Sequence, residues 1–346
     1  MNNFFLIIFY IISKSIKVKS AKKNLIIGVI KNYNWQQLKP FFVSLYNAKF
    51  ENYECVMFFL GITQDTLNKL NSIGVITYQI PNKYKDMKIN NVRYKLYVDY
   101  LSNKFEKYNI ILHVDIRDTF FQKDLFKIYE NKGSFIGLAL ENGNINEFMN
   151  AEWMKNQYGN IIYEELKNKR IICSGTIWGT IDKFYELVKN IWEQIELKSP
   201  YNYSIHDQTA TNYLIYHKKI LKDFIITSDN DSGPVMTLRI RTNHNFSFDF
   251  ENNLLNFKDK NKVCLVHQYD GYSILEEKVK TKFLNKTETH IKINSPTITN
   301  QKFQSEKMKI IIISLLFIIL LKKKFKKIVK YIYKTNKLLE IKIIKK

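Results

Sequence analysis

The amino-acid sequence predicts an α/β fold: a mostly parallel central sheet with helices on both faces. Three observations carry this. From Asn24 onward, short apolar runs alternate with amphipathic helical stretches, a spacing that returns successive strands parallel to one another. The chain has 346 residues, 45% of them hydrophobic and 14% aromatic, enough to fold and to bury a substantial core. Finally, the run "NIILHV" leads straight into Asp115 and Asp118. In open α/β sheets, ligands bind beyond the carboxyl ends of the strands.

The elements follow in order. "NLIIGVI" reads as a first strand, and "WQQLKPFFVSLYNA" as a helix interrupted by Pro40. "YECVMFFLG" reads as a buried strand. "TQDTLNKLNSIG" is a helix with Thr63 as its N-cap and Gly74 as its stop, and "VITYQIP" is a third strand. "NVRYKLYVDYLSNKF" is amphipathic and helical, and it feeds the strand that ends in the two aspartates. After Phe126 the order loosens. "SFIGLAL" and "IICSGTIWGT" are strand-like. "IDKFYELVKNIWEQI" is a helix, apolar at Ile181, Phe184, Val188, Ile191 and Ile195. "HDQTATNYLIY" reads as a short helix, and "NKVCLVHQ" as a late strand that ends in the turn "YDG".

The formal net charge of +22 invites a nucleic-acid reading, which the distribution of charge argues against. Only Arg93, Arg117, Arg170, Arg239 and Arg241 are arginine, the residue that reads base edges best. Residues 322–346 hold eleven lysines against one acid, Glu340, so nearly half of the excess sits in a terminal tail. No nucleic-acid partner is expected. Cys55, Cys173 and Cys264 are widely spaced in apolar runs, giving neither a disulfide framework nor metal-ligand spacing. They read as buried thiols.

The ends suggest addressing. Residues 1–21 combine the apolar "FFLIIFYII" with small residues at Ser20 and Ala21, the pattern of a secretory signal peptide. A folded domain is expected over 24–280, and an aperiodic stalk rich in Lys, Thr, Asn and Ser over 281–309. Residues 310–321, "IIIISLLFIILL", form an apolar segment. As a helix it would reach only about 18 Å into a hydrocarbon core of roughly 30 Å, a short anchor that thins the bilayer or relies on snorkelling lysines. The basic tail 322–346 fits a cytoplasmic or membrane-surface segment. These features predict a secretory-pathway membrane protein of the ER or Golgi with a lumenal domain. Sequons at Asn202, Asn230, Asn245 and Asn285 are compatible with that placement.

The chemistry rests on the aspartates. Desolvated carboxylates are costly unless they are paired or bound to a metal. Two of them at a sheet end suit a hard divalent cation such as Mn²⁺ or Mg²⁺. Residues three apart point to opposite faces of a strand, so Asp115 and Asp118 converge only if the strand breaks at Ile116 or Arg117. His113 shares a face with Asp115 but reads as a core histidine.

"VDIRDTFFQKDLF" resembles the Asp-x-Asp segment of GT-A-fold glycosyltransferases, in which aspartates at a strand end hold a metal on a nucleotide-sugar diphosphate. Three further likenesses follow in order. "CSGTIWGTIDKFYELV" resembles the Asn-Ser-Gly or Asn-Ala-Gly strand and helix of the glycogenin and galactosyltransferase-like group. "HDQTATNYL" resembles its Asp-Gln segment, and "LVHQYDG" its late metal-binding histidine. The likeness spans about Asn24 to Gly271 and implies a GT-A-like, Rossmann-type sheet. Two departures stand out. Two residues rather than one separate the aspartates, and Asp118 matches the second family aspartate. Cys173 stands where the group often has a sugar-contacting asparagine.

The resemblance implies a metal-dependent, hexosyltransferase-like enzyme with a nucleotide-sugar donor, a UDP-sugar first, and a glycan, protein or lipid acceptor. Asp115, Asp118 and His267 would hold the cation, which offsets charge on the leaving phosphate. Asp207 and Gln208 would lie near the reacting sugar, unless Asp207 is simply a helix cap. Val29, Asn32, Ser174 and Gly175 would meet the donor. Arg93 would contact the diphosphate or pair with a nearby acid, and Arg117 would pair with Asp115 or Asp124. Two other classes remain open on the same residues: a catalytically inactive, membrane-tethered binding module of this fold, and a metal-dependent phosphohydrolase.

Overall fold

Among the described residues of the computed structural model, seven strands form one sheet, in the order β3-β2-β1-β4-β7-β6-β8. They are β1 (Lys23–Lys31), β2 (Tyr53–Leu60), β3 (Ile76–Gln79), β4 (Tyr108–Val114), β6 (Ile136–Asn144), β7 (Arg170–Thr180) and β8 (Ile225–Ser228). The β3–β2, β2–β1, β1–β4 and β6–β8 pairings are parallel, while β7 runs antiparallel to both neighbours. This is the mostly parallel, two-faced sheet expected from the sequence. The structure describes residues 21–198, 206–230, 232–238, 246–249, 254–257, 263–284 and 291–293. The expected signal segment (but for its last residue), anchor and basic tail lie outside the described residues, as do the sequons at Asn202, Asn245 and Asn285. The chain divides into units 1–294 and 295–346, and every described residue belongs to the first.

Alternation within the strands builds two cores. Ile26 and Ile30 of β1, Cys55 and Met57 of β2, and Ile110, Leu112 and Val114 of β4 face one side. There they meet α1 (Trp35–Asn47), α2 (Gln64–Ser72) and α8 (Ser273–Leu284). Leu25 and Ile27, Val56 and Phe58, and Ile111 face the other. They pack on α3 (Ile89–Leu101), α6 (Ile181–Lys198) and α7 (Asp207–Asn212). Phe184, Leu187, Val188, Ile191 and Ile195 of α6 are all buried. Each such side chain contributes about 1.5–3 kcal/mol on burial, which holds α6 and its neighbours to the sheet.

Local signals behaved as the sequence suggested in α2, where the Thr63 side chain accepts a hydrogen bond from the Thr66 backbone at 3.3 Å. Pro40 does not break α1. Asn34 and Gln37 form a capping box at its start, and both Pro40 and its flanking residues are buried. Packing and caps outweigh the one backbone bond a proline forfeits.

Several elements carried too little pattern to be read from sequence. One is α5 (Phe148–Leu166), two helical pieces that meet at Gly159, whose φ is 84°. Two more are β5 (Thr119–Phe121) and β9 (Val235–Thr237), which flank the expected late strand, β12 (Leu265–His267), in a small sheet. A helical turn, α4, lies at Phe126–Tyr129, and a separate hairpin pairs β10 (Phe246–Asp249) with β11 (Leu254–Phe257). The boundary expected at residue 280 lies inside a helix: α8 runs to Leu284, and Ile291 and Ile293 are buried. Among the described residues, no helix is long and apolar enough to cross a membrane.

Candidate metal and donor site

β4 stops at Val114, and residues 115–118 turn before β5 begins at Thr119. This is the break that convergence of the two aspartates requires. β12 then pairs antiparallel with β5, His267 opposite Thr119, and delivers the histidine to the same place. The Asp118 carbonyl accepts the Gln268 N–H at 2.7 Å, and Gln268 takes a left-handed backbone with φ 60°. Asp115, Asp118 and His267 thereby offer ligand atoms that lie within 4.8 Å of one another. The His267 Nε2 atom is 3.5 Å from Asp115 Oδ2 and 3.8 Å from Asp118 Oδ1. It is buried and makes no hydrogen bond.

β7 passes directly beneath. The Asp115 N–H donates to the Gly175 carbonyl at 2.9 Å. A Cβ at Gly175 would stand 2.4 Å from His267 Cε1 and 2.7 Å from Asp115 Oδ2, so only glycine lets strand and cluster approach this closely. Ser174 turns its carbonyl to the Arg93 Nη2 and His113 Nε2 atoms, each at 3.2 Å. His113 is the core histidine the sequence suggested. Its Nδ1 lies 2.9 Å from the Tyr97 hydroxyl, and burial together with Arg93 lowers its pKa to about 3.

Arg93 is 1% exposed and joins the site's acids. Its Nη1 donates to Asp115 Oδ1 at 2.5 Å, and its Nη2 donates to Asp207 Oδ2. The Tyr94 hydroxyl adds a 3.1 Å bond to the same Asp207 oxygen. Of the two roles expected for Arg93, this geometry is the pairing with nearby acids. Asp207 makes no cap with its side chain, since the N-cap of α7 is His206. The Gln208 side chain spans β7 and α5, accepting from the Ser174 N–H at 3.4 Å and donating to Asn150 Oδ1 at 3.0 Å. Arg117 pairs with neither Asp115 nor Asp124; it reaches Asp270 at 2.7 Å, because the turn swings its side chain toward the residues that follow β12.

The carboxylates are electrically unequal. Burial works against an ionised Asp115, but Arg93 overrides it and holds its pKa well below the usual range. Asp118 is pushed up by burial and by the Asp115 charge, which His267 only partly offsets. Burial disfavours a charged His267, yet Cys173, Asp118 and Asp115 raise its pKa. Burial also raises the Cys173 pKa, and the neighbouring His267 works against that rise. A cation beside Nε2 would answer the same field as a proton there. The buried, unpartnered nitrogen next to two carboxylates fits a divalent ion with oxygen and imidazole ligands.

Val29 and Asn32, expected to meet a donor, lie at the carboxyl end of β1, which neighbours β4 in the sheet. Val29 is half-buried near the end of β1, and Asn32 follows it with φ 59° and an N–H bonded to the Leu60 carbonyl at 3.0 Å. Tyr33, which sequence reasoning missed, feels the charges of Asp115, Asp118, Arg117 and Asp270. Also missed were Tyr94 and Thr237, whose hydroxyl lies 3.2 Å from His267 Nδ1. Nothing local marks Thr237; strand pairing alone brings it in.

No protein-family model matches this chain, and no curated protein matches its sequence. Among solved structures, the chain is similar to the galactosyltransferase LgtC, whose crystal structure is a complex with donor and acceptor sugar analogues. Identity is 12% and the TM-score 0.47, over 77% of this chain and 98% of that one.

Proposed function

We propose that the chain is a metal-dependent glycosyltransferase that moves a sugar from a nucleoside-diphosphate sugar, a UDP-sugar first, to a glycan, protein or lipid acceptor. One observation carries the reading: Asp115, Asp118 and His267 converge at the carboxyl end of a parallel strand, with a buried, unpartnered nitrogen facing two carboxylates. Asp115, Asp118 and His267 would hold a Mn²⁺ or Mg²⁺ ion there, which would supply Lewis-acid charge toward a nucleoside diphosphate. The chain's own groups do the rest. Asp115 and Asp118 bring ligand charge, and Arg93 locks Asp115 to Asp207 so that both carboxylates keep one orientation. Asp207 and Gln208, on the first turn of α7, face the reacting sugar or its acceptor. Val29, Asn32, Ser174 and Gly175 border the donor.

The test is a panel of nucleotide sugars with Mn²⁺ or Mg²⁺, scored for release of nucleoside diphosphate by the parent and by Asp118→Asn. Metal-dependent release that the variant loses supports the transferase. Metal-dependent nucleotide binding without turnover of any sugar favours the inactive binding module, and phosphate release from simple phosphoesters favours the hydrolase. The proposal extends to location: the apolar 310–321 segment and its lysine flank tether a lumenal domain to an ER or Golgi membrane. Carbonate fractionation with and without residues 310–346 checks it, and equal solubility of both unglycosylated forms rejects it.

A further inference from the structure

Behind His267, at the ring nitrogen opposite the one that approaches Asp115 and Asp118, lies a polar arrangement. Thr237, 1% exposed on β9, places Oγ1 3.2 Å from His267 Nδ1 and 3.1 Å from Gln268 Oε1. Cys173 Sγ lies 3.4 Å from the same Nδ1 and 3.8 Å from the Thr237 hydroxyl. Thr237 is itself held in place. Its N–H donates to Asn230 Oδ1 at 2.7 Å, and its carbonyl accepts from Asn230 Nδ2 at 2.6 Å. The 1% exposed Asn230 is one of the four sequon asparagines, and in the folded domain its amide serves Thr237.

We propose that Thr237, backed by Cys173, is a positioning residue that fixes the tautomer of His267 and so sets the site's affinity for its divalent cation. A hydroxyl has one proton to give and lone pairs to receive. Gln268 Oε1 can only accept, so the Thr237 proton goes there. The remaining lone pair of Oγ1 then receives Nδ1–H, with the Cys173 sulfur as a second, weaker acceptor. With the proton on Nδ1, the Nε2 lone pair points at the space shared with Asp115 and Asp118. Turning the Gln268 amide over would reverse the chain and protonate Nε2, which makes the direction of this relay testable. Metal-bound histidines depend on such partners, and losing one typically costs about 10–100-fold in metal affinity.

This inference rests on the metal-site reading above, and the experiment separates the two. Mn²⁺ alone is titrated into the full chain, without nucleotide, and free Mn²⁺ is followed by electron paramagnetic resonance. Thr237→Val keeps the shape and removes the hydroxyl, so affinity should fall roughly 10-fold or more. Thr237→Ser should restore it, and Cys173→Ala should cost only a few-fold. Imidazole ¹⁵N spectra of the Mg²⁺-loaded parent, assigned by difference from His267→Ala, should show the proton on Nδ1. Parent affinity retained in Thr237→Val, or a proton on Nε2, overturns the positioning role while leaving the metal site standing. Failure of the parent itself to bind Mn²⁺, or equal binding by His267→Ala, overturns both. Thermal unfolding without metal identifies a variant that fails to fold, and the spectra of the parent then decide alone.

Discussion

The two ends of β4 handle buried acid in opposite ways. At its start, Glu54 is 7% exposed and receives Lys107 at 2.6 Å, Lys23 at 3.1 Å and the Tyr108 hydroxyl at 2.6 Å. Two cations and a hydroxyl serve one carboxylate, and despite burial they lower its pKa. At its end, Asp115 and Asp207 share the single guanidinium of Arg93, while Asp118 faces a histidine too distant to bond it. The first cluster closes on itself. The second leaves one buried nitrogen, His267 Nε2, without a hydrogen bond beside two carboxylates. The difference separates an acid whose charge the sheet already neutralises from a cluster that a cation could complete.

The largest effect should come from removing the cation that keeps the second cluster folded. Arg93→Met leaves the buried Asp207 and the half-buried Asp115 without their shared guanidinium, and breaking a buried pair in that way costs about 3–5 kcal/mol. Urea denaturation measures it, and a loss below 1 kcal/mol would mean that the arginine is not what neutralises these acids. Asp118→Asn should instead spare the fold. Without metal it should melt no lower than the parent, because its ionised carboxylate is disfavoured where it sits. Its binding of nucleoside diphosphate with Mn²⁺, read by calorimetry, should weaken by roughly 100-fold, at least the loss typical of disturbing a metal ligand's surroundings. Unchanged binding would make the Asp118 turn purely structural.

Glu54→Gln should show the mirror image: stability down by about 1 kcal/mol and metal-dependent binding untouched, since its partners are lysines in reach of solvent. A thermal melt shows the first and the same calorimetry the second.

Asp124 offers the smallest effect. It accepts backbone N–H groups from Glu51 at 3.3 Å and Phe126 at 2.9 Å, yet burial raises its pKa from 3.8 to about 6. A raised folded-state pKa stabilises the protonated form, so this contribution is full below about 3.8 and disappears as pH rises through about 6. Between those values the parent should gain stability on acidification relative to Asp124→Asn. Melting curves across that window that run parallel for the two proteins would show that the carboxylate does not titrate there.

Much of the fold was legible because it was written in local pattern. The run from Asn24 to Val114 alternates strand and helix clearly, and each expected element is present within a few residues. The α6 stripe at Ile181, Phe184, Val188, Ile191 and Ile195 is buried as its spacing required. The small sheet was only partly legible: its middle strand, β12, was read in "NKVCLVHQ", whereas the three-residue strands β5 and β9 carry no period to read. The candidate site divides along the same line. Asp115 and Asp118 announced themselves as charges after an apolar run. Arg117's partner, Asp270, lies 153 residues away and had no local trace.

Hydrophobic periodicity determined the layered sheet and therefore which chain ends would face a ligand, because burial of one face per element follows from residue spacing alone. The scarcity of arginine made Arg93 conspicuous, and the order of the short motifs suggested the chemistry. Only the tertiary structure decided that the turn at 115–118 brings two carboxylates to one histidine. It also decided that Arg93 binds acids on two different elements, and that Thr237 stands behind His267. Those contacts join residues as far apart in the chain as Asp115 and His267. Their geometry is set by strand register and by the packing of whole elements, which no short stretch of sequence contains.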